Sequence, residues 1–95
     1  MLKISRLSSE RTAVVLRLEG DVIGPWVDEV RRACADARQA KNGRKLRLAL
    51  DLSGVSFLDA DAVALFRELV TDRVSLTNYS VFVAEQLKEV SNVDR

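Results

Sequence analysis

Apolar and polar residues alternate along several short stretches of the chain, and this alternation predicts half-buried β-strands. The stretches lie at 2–7, 12–19, 46–52 and 74–77, the last with Val74 and Thr77 at its ends. Turn-forming residues are expected to separate them at 8–11, at Gly20-Asp21 and at Ser53-Gly54. The pattern therefore predicts a strand in each stretch, with a turn or a longer connection after it.

Between these strands, apolar residues recur at the three- and four-residue spacing of amphipathic helices. The first helix is expected to open at Gly24-Pro25, because proline suits the first helical position, and to stop at Asn42-Gly43. Its buried stripe is expected to contain Trp26, Val30, Ala33 and Ala37, with an inert Cys34 on or beside it.

Two further helices are expected in the second half of the chain. Asp59 precedes the second helix, and Ser80 is expected to cap the third. The buried rows of the second helix are expected to be Ala62, Val63, Leu65, Phe66, Leu69 and Val70. The apolar stripe of the third helix is expected to be Val83, Leu87 and Val90.

The expected element order is therefore β-β-α-β-α-β-α. Strands that alternate with helices predict an α/β domain with parallel strand pairs and right-handed crossovers. The opening β-β pair adds an antiparallel pair, so the sheet is expected to be mixed. At 95 residues, the chain is expected to form a single domain, residues 1–95.

Composition narrows the range of functions. Hydrophobic residues make up 47% of the chain and charged residues 31%, which is typical of globular domains, and a net charge of +1 gives no basic excess for nucleic acid. With no histidine and one cysteine, the usual zinc sites and Ser-His or Cys-His mechanisms are excluded within the chain. No phosphate-binding loop is present, and no cofactor or metal is expected.

The same composition indicates a compartment. No apolar run approaches the roughly 20 residues that span a bilayer, and the first residues lack the hydrophobic core of a signal peptide. The single Cys34 has no partner for an internal disulfide, which suits a reducing environment. The expected location is the cytoplasm, without direct insertion into a membrane.

Residues 48–62 carry the most distinctive pattern, an apolar strand followed by DLSGV, then FLD and the start of a helix. This segment resembles the signature of STAS domains, a family named after sulfate transporters and anti-sigma-factor antagonists. Residues 16–20 resemble the second strand and glycine turn of the family, and residues 76–80 resemble its fourth strand and third helix. The resemblance covers residues 12–90 and implies a non-enzymatic protein-binding module of the antagonist kind.

The pattern departs from that of the family at the phosphorylation loop. In the antagonists, the serine two positions after the motif aspartate is phosphorylated by a partner kinase, and here that position is Asp61, between Ala60 and Ala62. A carboxylate carries about one negative charge, whereas phosphoserine carries about 1.5 to 2, so Asp61 is a permanent and partial mimic at best. The hypothesis is a module that has left the kinase cycle.

A second departure lies at the end of the chain. The family usually continues after its third helix into a further strand and helix, and residues 91–95 leave no room for both. The fold is therefore expected to be shortened at its C-terminus, with the strand at 74–77 as an exposed edge. Exposed edges pair with other chains, which predicts a homodimer or a partner at this strand.

The resemblance implies a partner-binding surface at the start of the second helix and along it. The expected contact residues are Ser56, Asp59, Ala60, Asp61, Ala62 and Arg67, with Asp61 at the phosphosite position. A helix cap is the other role for Asp59, and the two roles are compatible. Catalysis by paired carboxylates such as Asp51 and Asp59 is not expected, because it requires an enclosed pocket that separates their pKa values.

The expected partner is an anti-sigma factor or a serine-kinase-like switch protein, whose sequestration would release a sigma factor and so regulate transcription. One alternative within the family is an accessory subunit of an ABC-type lipid-transport complex. Another is a nucleotide-binding regulatory domain, although the sequence contains no phosphate loop to support it.

Overall fold

A computed structural model describes the backbone of residues 2–9, 13–39 and 46–93, and the side chains of these residues except 8, 9 and 89–93. Its elements are β1 Leu2–Ser9, β2 Ala13–Val22, α1 Pro25–Arg38, β3 Arg47–Leu58, α2 Ala60–Thr71, β4 Ser75–Thr77 and α3 Val81–Val93. The predicted order β-β-α-β-α-β-α and the α/β class are confirmed.

The strands form one mixed sheet in the order β1-β2-β3-β4. β1 is antiparallel to β2, whereas β3 is parallel to both β2 and β4. The crossovers through α1 and α2 step in the same direction across the sheet, so right-handed connections place both helices on one face. α3 contacts α2 and β3 and joins the same layer. Among the described strands, β4 forms one edge of the sheet, as predicted.

The hydrophobic core lies between this helical layer and the sheet. Val14, Leu16 and Leu18 enter it from β2, as their alternation predicted. The helices contribute Val27, Val30, Cys34 and Ala37 from α1, and Ala62, Val63, Leu65, Phe66 and Leu69 from α2. None of the described helices combines the length and the hydropathy of a transmembrane helix.

The buried faces of the helices differ from the predicted ones at particular positions. In α1, Trp26 and Ala33 are only half-buried at the border of the core, because they lie about 100° around the helix from the buried Val27 and Cys34. In α2, Val70 was expected in the core but is 53% exposed. α1 also ends at Arg38, because Gln39 is extended and the Arg38 carbonyl accepts the Leu46 N–H; Asn42-Gly43 lies outside the described residues.

The strands run through several positions that were expected to be turns. β1 extends to Ser9 past a register shift between Arg6 and Ser8, which leaves Leu7 exposed; the remaining turn residues, 10 and 11, lie outside the described residues. At the other edge, β4 begins at Ser75, and Val74 is buried just before it.

In β2 and β3, the expected turns are irregularities within continuous strands. The β2–β3 register shifts between Arg17 and Glu19 and again between Gly20 and Asp21, so β3 carries extra residues there without ending. Gly54 lies beside the first shift, and a Cβ atom on it would lie 2.7 Å from Glu19 Cγ and 3.2 Å from Glu19 Cα. Glycine is therefore required for the close approach of the strands, whereas the sequence suggested a turn.

Candidate functional site

Asp59 lies between β3 and α2, and both of its carboxylate oxygens accept backbone N–H groups. Oδ1 accepts from Ala62 at 2.8 Å, which caps the start of α2, and Oδ2 accepts from Gly24 at 2.8 Å. The backbone N–H of Asp59 also donates to the carbonyl of Val22 at 3.2 Å. The predicted capping role of Asp59 is confirmed, and its side chain also ties the start of α2 to the turn before α1.

The other side of this segment is held by Gln86 of α3. Its side chain accepts the Leu58 N–H at 3.0 Å and donates to the Leu58 carbonyl at 2.6 Å. Because β4 pairs with β3 only from Ala49 to Asp51, the Gln86 amide replaces a neighbouring strand at the end of β3. Gln86 was not predicted as a site residue, because its local signal in the sequence is only a polar residue next to the apolar Leu87.

The predicted contact residues do not all reach the surface. Ala60 and Asp61 are exposed in the first turn of α2, and Ser56 is exposed near the end of β3. Arg67 is exposed as well, but it lies about 1.7 helical turns along α2 from Asp61. Ala62 is fully buried, so its side chain lies beneath the surface that the other residues form.

Asp51 has a structural environment unlike that of Asp59. It lies within β3, is 6% exposed, and its Oδ1 accepts the Ser53 N–H at 2.9 Å. Hydrogen bonds from Ser53 hold the pKa of Asp51 below its ordinary value, with smaller help from Asn78 and Arg17, although burial acts in the opposite direction. Arg17 Nη2 lies 3.5 Å from Asp51 Oδ2. Asp51 and Asp59 therefore serve separate hydrogen-bond networks.

Within residues 2–9, 13–39 and 46–93, no group of three or more His, Cys, Asp or Glu side chains is placed to hold a metal ion. The segment around Asp59 forms a fixed, acidic surface next to the exposed rings of Phe57 and Phe82.

A second surface feature is a groove between α2, β4 and α3, with a volume of about 510 Å³. Its apolar lining consists of Val63, Phe66, Val70, Val74, Leu76, Tyr79 and Leu87. The groove runs beside the edge strand β4 and reaches the first turn of α2 at Val63, whose backbone N–H donates to the Asp59 carbonyl.

No protein-family model and no curated protein matches the chain. Among solved structures, the chain is similar to the anti-sigma factor antagonist SpoIIAA in its unphosphorylated form. The TM-score is 0.64 at 22% sequence identity, and the match covers 98% of this chain and 96% of the SpoIIAA chain. This chain has the STAS fold. The fold expected from the pattern at 48–62 is thus confirmed.

Within this STAS fold, the DLSGV pattern has a clear structural basis. Asp51 accepts the Ser53 N–H at the bulge of β3, and Gly54 lies against Glu19 of β2. The pattern therefore shapes the central strand, which ends at Leu58 directly before Asp59, and Asp59 binds the starts of both helices.

Proposed function

We propose that the chain is a non-enzymatic protein-interaction module that binds an anti-sigma factor or a related switch protein and thereby regulates transcription. The observation that supports this most is that 98% of the chain matches the fold of an anti-sigma factor antagonist. The proposal includes a cytoplasmic location, where such partners act.

The proposed contact surface begins at the start of α2. It contains the exposed Ala60 and Asp61 of the first turn of α2. Ser56 and Asp59 lie at the end of β3, and Arg67 lies further along the helix. The hydrogen bonds of Asp59 to both helix starts hold this surface in one conformation. Such order favours binding, because less conformational entropy is lost when the partner docks. Ala62 supports the surface from below.

Asp61 leads us to propose a module that works without phosphorylation at the usual position. None of the residues 60–62 has a hydroxyl group. The carboxylate of Asp61 places a permanent charge in the first turn of α2, where the helix dipole stabilises an anion. Regulation then comes from the amount of partner, because the charge at this position does not change.

The experiment that tests this function is affinity capture from the native cell, with immobilised wild-type chain and the variant Asp61→Arg compared side by side. The wild type is expected to capture an anti-sigma factor or a serine-kinase-like ATPase, and Asp61→Arg is expected to lose it. The matched control is Asp36→Arg. It makes the same charge change at an exposed position near the C-terminal end of α1, whereas the N-terminal end of α1 lies beside Asp59.

Two results would contradict the proposal. Capture of ABC-type lipid-transporter subunits in place of an anti-sigma factor would support the alternative function. If Asp61→Ser binds the captured partner as tightly as the wild type does, the role given to Asp61 is wrong, whatever the partner is.

We also propose that β4 pairs with a second copy of the chain. β4 lies at the edge of the described sheet, its Ser75 and Thr77 are exposed, and the apolar groove of about 510 Å³ runs beside it. Open strand edges favour such pairing, and a charged side chain on the edge opposes it. Sedimentation is expected to show a dimer that Ser75→Lys dissociates, whereas a wild-type monomer at all concentrations would contradict this pairing.

A further inference from the structure

The end of the sheet that carries Asp59 also exposes large apolar side chains. The rings of Phe57 in β3 and Phe82 in α3 stack with centroids 6.2 Å apart and planes at 29°, yet they are 42% and 54% exposed. Val81 precedes Phe82 and is 80% exposed, and Ile23, just before α1, is 38% exposed. We call Ile23, Phe57, Val81 and Phe82 the apolar patch. Exposed apolar groups gathered in this way mark interaction surfaces.

The apolar patch is held firmly by the hydrogen bonds on either side of it. Gln86, one turn after Phe82, binds both backbone groups of Leu58, which follows Phe57. Asp59 binds the N–H of Gly24, which follows Ile23. The patch is therefore a preformed surface, and docking on it requires little ordering of the chain.

Acidic side chains border the apolar patch. Segments 18–30, 48–66 and 74–87, which contribute residues to this end of the sheet, contain no lysine and no arginine, and the next cation in α3 is Lys88, exposed one turn after Glu85. Asp21 pairs with Phe57 in the β2–β3 register, and Glu85 lies one turn after Phe82 in α3. Lys3 of β1 lies opposite Glu19 in the β1–β2 register, so this cation is not next to Asp21.

Asp61 completes this acidic border on the side of α2. It is exposed two residues after Asp59, which anchors the same segment to Gly24 beside Ile23. The apolar patch is therefore continuous with the proposed contact surface, and one partner is able to cover both.

We propose that the apolar patch is a docking surface for a protein segment that presents an apolar side chain flanked by lysine or arginine. This inference rests on the proposed function and adds the chemistry of the partner to it. Charge complementarity selects this occupant, because basic side chains beside the anchor would meet Asp21, Asp61 and Glu85. A second copy docked here would instead bring these acids against their own counterparts, which repel one another.

The test uses a fluorescently labelled amphipathic peptide built only from leucine and lysine, with a matched peptide in which glutamate replaces lysine. Anisotropy is expected to show that the wild-type chain binds the Leu–Lys peptide and not the Leu–Glu peptide, and that added salt weakens binding. Phe82→Ala is expected to weaken binding about tenfold or more, as loss of an aromatic anchor does. The control Val70→Ala removes a side chain that is 53% exposed on α2 and is expected to leave binding unchanged.

A second variant keeps the test decisive if Phe82→Ala affects folding. Glu85→Lys changes an exposed charge beside the apolar patch and is expected to weaken Leu–Lys binding without loss of helical circular dichroism. Failure of the Leu–Lys peptide to bind, equal binding of both peptides, or equal losses in Phe82→Ala and Val70→Ala would overturn the proposal. Self-association that Phe82→Ala abolishes would overturn it as well, because the occupant would then be a second copy.

The outcome is independent of the capture experiment. The peptide is synthetic and involves no cellular partner. If the peptide does not bind, the capture of an anti-sigma factor through Asp61 still supports the proposed function. Conversely, a capture experiment that finds no such factor leaves the measured chemistry of the apolar patch unchanged.

Discussion

The carboxylate of Asp59 accepts the backbone N–H of Gly24 at 2.8 Å, across 35 positions of the sequence. Gly24 has a φ of 54°, in the left-handed region, and stands immediately before α1. Because the other oxygen of Asp59 caps α2, a single side chain links the starts of two helices. The proposed contact surface owes its fixed geometry to this arrangement.

We expect Asp59→Ala to lower the free energy of unfolding by about 1–3 kcal/mol, since it removes a helix cap and leaves the Gly24 N–H without its acceptor. Urea denaturation measures the change. The control Asp61→Ala removes an exposed carboxylate two residues away and is expected to change stability by about 0.5 kcal/mol or less. Equal losses in the two variants would show that neither the cap nor the bond to Gly24 stabilises the chain.

Gln86→Leu is expected to destabilise the chain by about 1–3 kcal/mol, because the N–H and carbonyl of Leu58 lose their partner at the end of β3. Hydrogen exchange of the Leu58 amide should accelerate in the same variant. Glu85→Leu, an exposed substitution in the same helix, is the control for changes in helix propensity. A Leu58 amide that exchanges at the wild-type rate in Gln86→Leu would contradict this role.

The pKa of Asp51 lies below its ordinary value, chiefly because of hydrogen bonds from Ser53. A carboxyl whose folded pKa is depressed stabilises the fold above its unfolded pKa of about 3.9, and this contribution is lost as pH falls through the folded pKa. We therefore expect stability to decline in acid less steeply in Asp51→Asn than in the wild type. An NMR titration of the Asp51 carboxyl with a midpoint at or above about 3.9 would disprove this.

Burial raises the pKa of the Cys34 thiol to about 11, although nearby Arg38 acts in the opposite direction. Because the thiolate is the reactive form and Cys34 is only 2% exposed, a disulfide reagent should react very slowly with the folded chain at neutral pH. The same reagent should react rapidly in denaturant, which serves as the control. Rapid labelling of the folded chain would mean that α1 opens readily.

The order of the elements was predictable from the sequence because it depends on local periodicity. The burial of Val14, Leu16 and Leu18 follows from alternation alone, and the capping roles of Asp59 and Ser80 follow from their positions before helices. These features depend on neighbours within a few residues, which a single sequence contains.

The ends of the strands were less predictable because glycine has more than one structural use. The sequence predicts a turn at Gly54. In the structure, the absence of a side chain on Gly54 allows Glu19 of the neighbouring strand to approach closely. The partner that decides between these uses is distant in the sequence, and no local pattern identifies it.

The exposed side of the candidate site depends on long-range packing in the same way. The pairing of β4 with β3 ends at Thr77, so the end of β3 is flanked by α3, and this brings Phe82 against Phe57 and Gln86 against Leu58. Asp59 and Asp61 were predicted from the sequence, whereas the stacking of Phe57 and Phe82 beside them was seen only in the structure.

The uneven placement of charge has a consequence for how the molecule meets other molecules. The net charge of the chain is only +1, yet segments 18–30, 48–66 and 74–87, which contribute to the end of the sheet around Asp59, contain no lysine and no arginine. Asp21, Asp61 and Glu85 therefore attract an approaching basic molecule toward that end of the sheet before contact. Since the Debye length is about 8 Å at physiological ionic strength, this guidance acts only over the final approach, and added salt should slow association.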